Sequence, residues 1–120
     1  MPKVKQINHV AVVVEDMEKA LAFWRDALGM DLYELRDVPA EKSQVAFLPL
    51  PGSEVELVMP TSDDSGIAKY LAKRGPGMHH VCLEVDDIDG IMAPLKSKRV
   101  RLINVEPRTA ADGKKYAFIH

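Results

Sequence analysis

Cysteine is nearly absent. Cys82 is the single one among 120 residues, so no intramolecular disulfide framework can form, and the usage suits a reducing cytosol. Long apolar runs are missing as well. The longest, 10–14, falls far short of the ~20 residues that cross a bilayer, so no membrane span is expected. The opening Met1-Pro2-Lys3-Val4-Lys5-Gln6 has charge but no apolar stretch and cleavage site after it, so no signal peptide is expected. Excess charge of one sign is also lacking. Sixteen basic and 18 acidic residues are interspersed, for a net charge of −2, which gives nucleic acid no electrostatic foothold. There is no glycine-rich phosphate loop, no nucleophile elbow and no His-Glu-x-x-His helix. Covalent catalysis thus has no evident nucleophile, which leaves acid–base chemistry assisted by a Lewis acid. What remains is a cytoplasmic globular chain, 47% hydrophobic, of a length that fits one domain.

The sequence repeats itself. Displaced by 71 positions, Ile7-Asn8-His9-Val10-Ala11-Val12-Val13-Val14-Glu15-Asp16 overlies Met78-His79-His80-Val81-Cys82-Leu83-Glu84-Val85-Asp86-Asp87. A histidine, a β-branched strand, an acidic pair and an apolar helix opener recur in register, the signature of an internal duplication. The first copy reads as a strand over 10–14, an Asp16 cap, and a helix whose stripe is Met17, Ala20, Leu21, Trp24 and Leu28, closed by Gly29. Three strands are expected next, over 32–38, 43–50 and 54–59. Ile67, Tyr70 and Leu71 predict a short linking helix. In the second copy Ile88, Ile91, Met92 and Leu95 repeat the stripe, and Pro94 inside it requires a kink or a late start. Strands are expected over 101–105 and 115–119, which leaves this copy short by about one strand. The expected fold is α+β: paired βαβββ modules forming a curved mixed sheet with a cleft, helices on its outer face. Module one spans 1–61, the linking helix 62–77 and module two 78–120, all in one domain.

Parity then selects the chemistry. Side chains alternate faces along a strand, so the branched face of 10–14 packs on the helix while His9 faces the other way. The same rule makes His80, not His79, the counterpart of His9, and sends Val81 and Leu83 to the helix side. On the strand 54–59, Val55, Leu57 and Met59 face the helix, while Glu54, Glu56 and Val58 face the cavity. A lone histidine is ordinarily a satisfied core or surface residue, and a lone glutamate a solvated one. Two histidines at equivalent repeat positions instead imply a shared pseudo-symmetric site, and with Glu56 they form a reasonable divalent-metal donor set. Cys82 reads as a small buried side chain. Asp63, Asp64, Asp86 and Asp87 read as caps and solvated charge, and Lys96, Lys98, Arg99 and Arg101 as a solvated basic face.

The segments Ile7-Asn8-His9-Val10-Ala11-Val12, Val55-Glu56-Leu57-Val58-Met59-Pro60 and Gly77-Met78-His79-His80-Val81-Cys82, with the linking stretch 67–75 and the segment 113–120, together resemble methylmalonyl-CoA epimerases of the vicinal-oxygen-chelate superfamily. The resemblance implies a homodimer with a divalent metal in each subunit's cleft, held by His9, Glu56 and His80. Cobalt comes first by resemblance, with manganese, nickel or zinc also suited. It implies an acyl-CoA substrate whose α-proton is removed and returned through an enolate. The family's fourth ligand is a glutamate on the last strand; by the repeat, the counterpart of Glu56 would fall 47 positions after His80, beyond His120. The best alignment puts Ala46 where some relatives carry an acid–base glutamate, so the catalytic pair stays open. A glyoxalase-type metal-dependent lyase, or a non-catalytic small-molecule-binding dimer of the same superfamily, is the alternative.

Overall fold

A computed structural model describes residues 1–110 and 112–120. In chain order the elements are β1 (Val4–Val13), α1 (Met17–Leu21), a wide-turned continuation over Ala22–Ala27, β2 (Glu34–Val38), a 3₁₀ turn (Pro39–Glu41), β3 (Ser43–Leu50), β4 (Ser53–Pro60), α2 (Gly66–Arg74), β5 (Gly77–Val85), α3 (Ile88–Ser97), β6 (Arg108–Thr109) and β7 (Lys115–Tyr116). Five strands form one mixed sheet in the order β2-β3-β4-β1-β5, and β6 and β7 form a separate pair. The class is α+β, as expected, and β1-α1-β2-β3-β4 is the βαβββ unit read from the sequence. By contacts the chain groups into two compact units, Ile7–Leu83 and Met1–Gln6 with Glu84–His120. No helix among the described residues is long and apolar enough to cross a membrane.

In the first unit the parallel pairing of β1 with β4 sets Val10 against Val55, Ala11 against Glu56, Val12 against Leu57 and Val13 against Val58. One face of this ladder meets α1. Val14, Met17, Leu21, Ala46, Leu48 and Leu57 form its buried centre, with Val12, Ala20, Trp24, Val55 and Met59 packed around it. The other face carries His9, Ala11 and Val13 beside Glu54, Glu56 and Val58. The antiparallel β3 continues it with Ser43, Val45 and Phe47. α1 begins where expected, with the Asp16 carboxylate accepting from the Lys19 amide at 3.2 Å.

That helix then departs from the expected stripe. The Leu28 amide donates to the Phe23 carbonyl, five residues back, a π-type turn that inserts one residue per turn beyond the α pattern. The phase therefore slips, and Leu28 ends 54% exposed instead of buried with Leu21 and Trp24. Gly29 closes the helix at φ 79°, a left-handed conformation that suits glycine. α2 starts on Ser65, whose hydroxyl accepts from the Ala68 amide at 3.0 Å.

In the second unit α3 starts on time. Asp87 caps it through the Gly90 amide at 3.1 Å, and the helix passes through Pro94 to Ser97. Of the two expectations raised by Pro94, a kink or a late start, the late start is not found. The strand expected over 101–105 is not formed either: only Leu102 bridges to Ile119, while the Ile103 and Asn104 amides both reach the Phe118 carbonyl. Asn104 also accepts from the Phe118 amide through its side chain at 2.8 Å, which replaces a ladder with a local side-chain lock. The expected strand 115–119 shrinks to Lys115–Tyr116, paired with β6. Val81 and Leu83 of β5, expected on a buried face, are 45% and 52% exposed on the terminal strand of the sheet.

Two substitutions test this core. Leu57, fully buried under α1, should cost about 2–5 kcal/mol as Leu57→Ala through lost transfer energy and the cavity left behind. Ser43 is 1% exposed, and its hydroxyl has no hydrogen-bond partner among the described residues. Ser43→Ala should leave stability unchanged or raise it by about 1 kcal/mol, because the buried hydroxyl has no partner to lose. Urea unfolding midpoints measure both.

Candidate metal and proton-transfer site

The candidate site lies within the unit Ile7–Leu83. His9 sits on β1 one residue before the ladder begins, and His80 sits near the start of β5. The structure brings these two rings together: their Nε2 atoms are 3.2 Å apart, and the rings meet edge to face with centroids at 5.3 Å. Each ring is also held at its other nitrogen. His9 Nδ1 lies 2.9 Å from Asn8 Oδ1 and 3.2 Å from Glu56 Oε2. His80 Nδ1 lies 2.7 Å from His79 Nδ1. His79 packs against the Tyr70 ring of α2, centroids 4.5 Å apart, and the Tyr70 hydroxyl donates to the Met78 carbonyl at 3.3 Å.

Burial sets the electrostatics. It lowers the pKa of His9, partly opposed by the negative charge of Glu54, and it lowers that of His79 as well. His80 is pushed down to about 4, by burial first and then by the charges that His79 and His9 would carry. Both rings of the pair are therefore neutral at pH 7, the state in which an imidazole offers a lone pair. Glu56 moves the other way, up to about 7, through burial, a hydrogen bond with Glu54 and the negative charges of Glu54 and Glu41; Arg36 opposes the shift. A carboxyl with that value is only partly ionised near neutrality, so the charge felt by His9 comes from Glu54.

The donor set suits a divalent cation in kind, two neutral imidazoles and a carboxylate. The histidine pair also fits in spacing, because two nitrogens at ~2.0–2.1 Å from one ion in tetrahedral array are ~3.3 Å apart. Glu56 stands behind His9, at Nδ1, and not beside the two Nε2 atoms. Among the described residues no three His, Cys, Asp or Glu side chains converge on one point.

One residue, Glu41, escaped the sequence reading, and Ala46 lies on the opposite face of its strand from the site. Ala46 is fully buried on the α1 side of β3, paired with Leu57 and Leu35. A carboxylate there would enter the core, so Ala46 does not stand in for an acid–base residue of the cavity. The carboxylates whose charge reaches Glu56 are Glu54, on the same strand, and Glu41, at the end of the 3₁₀ turn before β3. Strand parity applied to Ala46 would have redirected the search upstream to Glu41. The basic residues Lys96, Lys98, Arg99 and Arg101 lie in the other unit and are exposed, with Lys96 paired to Glu106 at 3.1 Å.

A model of the glyoxalase/bleomycin resistance protein/dioxygenase superfamily matches residues 8–118, and the chain belongs to that superfamily. Within it, the chain is similar to the mitochondrial methylmalonyl-CoA epimerase of Mus musculus, 41% identical over 119 residues, covering 98% of this chain and 67% of the mouse protein. It is 38% identical over 117 residues to the ethylmalonyl-CoA/methylmalonyl-CoA epimerase of Cereibacter sphaeroides, covering 96% of this chain and 87% of that one. It spans about two thirds of the length of the mammalian relatives. Among solved structures it is similar to the methylmalonyl-CoA epimerase of Mycobacterium tuberculosis, with a TM-score of 0.82 at 32% identity, covering 98% of this chain and 79% of that one. It is also similar to a methylmalonyl-CoA epimerase in complex with methylmalonyl-CoA and NH4+, with a TM-score of 0.81 at 28% identity, covering 98% and 86%.

The shifted pKa values give a signed expectation for the metal-free protein. His80 titrates near 4 when folded and near its ordinary 6.5 when unfolded, so between those values the unfolded chain holds more protons. Its contribution to stability is lost as pH falls from 6.5 toward 4. Glu56 has the opposite sign: the folded state holds its proton more tightly between 4.5 and about 7, and folding gains as pH falls through that window. Comparing wild type with His80→Asn isolates the first effect. In the presence of chelator, the wild type should lose stability relative to the variant between pH 6.5 and 4. A constant difference across that range would contradict the assigned shift.

Proposed function

We propose that this chain is an epimerase acting on methylmalonyl-CoA, an isomerase that removes the α-proton and returns it to the opposite face of the same carbon. The observation that carries the reading is the His9–His80 pair, Nε2 to Nε2 at 3.2 Å beside Glu56. It sits in a chain 38–41% identical, over at least 96% of its length, to proteins bearing that name.

The reaction sets the requirements. The α-carbon lies between a thioester and a carboxylate, and removing its proton leaves an enolate whose oxygen charge makes up most of the barrier. A divalent cation between the His9 and His80 Nε2 atoms, with Glu56 swung round from His9 Nδ1 to reach it, would supply Lewis-acid stabilisation of that charge, several kcal/mol in similar sites. Cobalt, manganese, nickel and zinc are all compatible with this donor set. The chain's own residues do the remaining work. The neutral imidazoles keep their lone pairs available, and Asn8 and His79 fix the ring orientations. Proton transfer needs one group on each side of the planar intermediate. Glu41 and Glu54, the carboxyl groups that act electrostatically on Glu56, are the chain's candidates for that role.

The same reading includes a homodimer in a cytoplasmic, reducing setting. The exposed Met78, Val81 and Leu83 on the edge strand β5 support self-association, since such an edge ordinarily needs cover.

One methylmalonyl-CoA epimer in deuterated water tests the reaction. Deuterium should enter the α-carbon, chelator should abolish the exchange, and added cobalt should restore it. His80→Ala should slow exchange by on the order of 100-fold or more. Absence of α-exchange from the wild type loaded with cobalt would defeat the epimerase reading. The carboxylates separate by a second measurement: Glu56→Gln should weaken metal binding, while Glu41→Gln and Glu54→Gln should retain metal and lose exchange.

A further inference from the structure

The stretch from 98 to 120 is strongly basic. It carries Lys98, Arg99, Arg101, Arg108, Lys114 and Lys115 against two acids, Glu106 and Asp112, although the whole chain is net −2. All six cations are exposed. Glu106 is taken by Lys96 at 3.1 Å, and among the described residues none of the six cations forms an ion pair. Elsewhere the protein does pair such groups: Arg25 with Asp26, Arg36 with Glu34 and Lys42 with Asp64. Unneutralised positive charge gathered in one stretch attracts a polyanion.

Two rings stand among these charges. Tyr116 and Phe118 meet edge to face with centroids 5.9 Å apart, and they remain 39% and 42% exposed. Arg108 lies directly opposite Tyr116 in the β6–β7 pair, so the two side chains share a face. Lys114 is two residues ahead of Tyr116, where the hairpin turns. Its carbonyl accepts from the Ala110 amide at 2.8 Å, and its amide donates to the Asp112 carboxylate at 2.9 Å. Two residues of extended chain span ~7 Å, comparable to the ribose that separates a base from its phosphates. A base stacks on an exposed aromatic face while its phosphates seek the nearby cations. A simple anion would use the cations and leave the rings idle, and an apolar partner would do the reverse.

We propose that Arg108, Lys114, Tyr116 and Phe118 form a binding surface for the nucleotide end of an acyl-CoA, with adenine on the ring pair and phosphates on the two cations. This inference rests on the acyl-CoA reading given above, whose substrate ends in adenosine with phosphates at its 3′ and 5′ positions. The ordinary alternative is a solvated hairpin whose rings pack on each other and whose cations only keep the surface wet. That role would not distinguish one nucleotide from another.

The test uses the full chain, with adenosine 3′,5′-bisphosphate as the probe. Calorimetry should find binding that weakens as salt is raised. Tyr116→Ala should lose affinity on the order of 10-fold, and Tyr116→Phe, which keeps the ring, should stay within a few-fold of wild type. Adenosine 5′-monophosphate and inorganic phosphate should both bind more weakly than the bisphosphate. Deuterium exchange supplies a second readout. Arg108→Gln should raise KM for methylmalonyl-CoA on the order of 10-fold with kcat held, and that difference should vanish with a methylmalonyl-pantetheine thioester, which has no nucleotide. No bisphosphate binding by the wild type, equal affinity in Tyr116→Ala, equal affinity for the monophosphate, or a KM rise shared by both thioesters would each overturn the proposal. If Tyr116→Ala does not fold, as judged by circular dichroism, Arg108→Gln and the two thioesters decide it. A wild type that binds the bisphosphate as described but never exchanges the α-proton would sink the epimerase reading and uphold the nucleotide surface, whereas exchange without nucleotide binding would overturn this proposal alone.

Discussion

The site turns on two imidazoles held with their Nε2 atoms 3.2 Å apart on neighbouring strands of one sheet. Such a contact cannot be held with both rings charged, since two adjacent imidazolium charges in a poorly solvated place repel strongly. Burial supplies that neutrality by disfavouring the charged form of each ring. The sheet supplies the geometry, because β1 contributes one ring and β5 the other. Asn8 and His79 orient the two rings from their outer nitrogens.

The carboxylates show the same environment acting with opposite sign. Burial that keeps imidazoles neutral also keeps Glu56 protonated to an unusually high pH, and Glu54 and Glu41 add to the effect. A carboxyl poised near neutrality changes its protonation readily when a positive charge arrives, and Glu56 is such a group. The three carboxylates come from different structural contexts: Glu54 and Glu56 from one strand, Glu41 from the turn ahead of β3. Only the second kind could be missed by reading strands alone.

Much of the first unit was legible in the residues. The duplication aligned His9 with His80, and alternation along β1 and β4 placed His9 and Glu56 on one face, as the ladder of Ala11 with Glu56 shows. β3 was bounded correctly at Ser43 and Leu50, because a 3₁₀ turn and Pro51-Gly52 punctuate both ends. The failures have physical causes. Leu28 left the stripe because one wide turn altered the helix phase, which periodicity assumes constant. The stretch 101–105 looked like a strand by its branched residues, but the Asn104 side chain took the Phe118 amide and replaced a ladder. Val81 and Leu83 were assigned to a buried face by analogy with Val10 and Val12, yet β5 is the last strand in the sheet order and exposes them. Repeat symmetry transfers which residues share a face, not what covers that face.

The surplus residue in Ala22–Ala27 has an effect beyond local geometry. Asp16 fixes one end of that helix and the left-handed Gly29 the other, so the number of residues between them sets the rotational phase at which the side chains in the middle meet the sheet. At the present count Trp24 packs against the core while its neighbour Phe23 remains 55% exposed. Shortening the stretch by one would change that phase, so the side chains after the deletion would meet the sheet at a different angle. The hydrophobic layer has therefore been fitted to one particular indole by a spacer, and a shorter helix would need a differently shaped core beneath it.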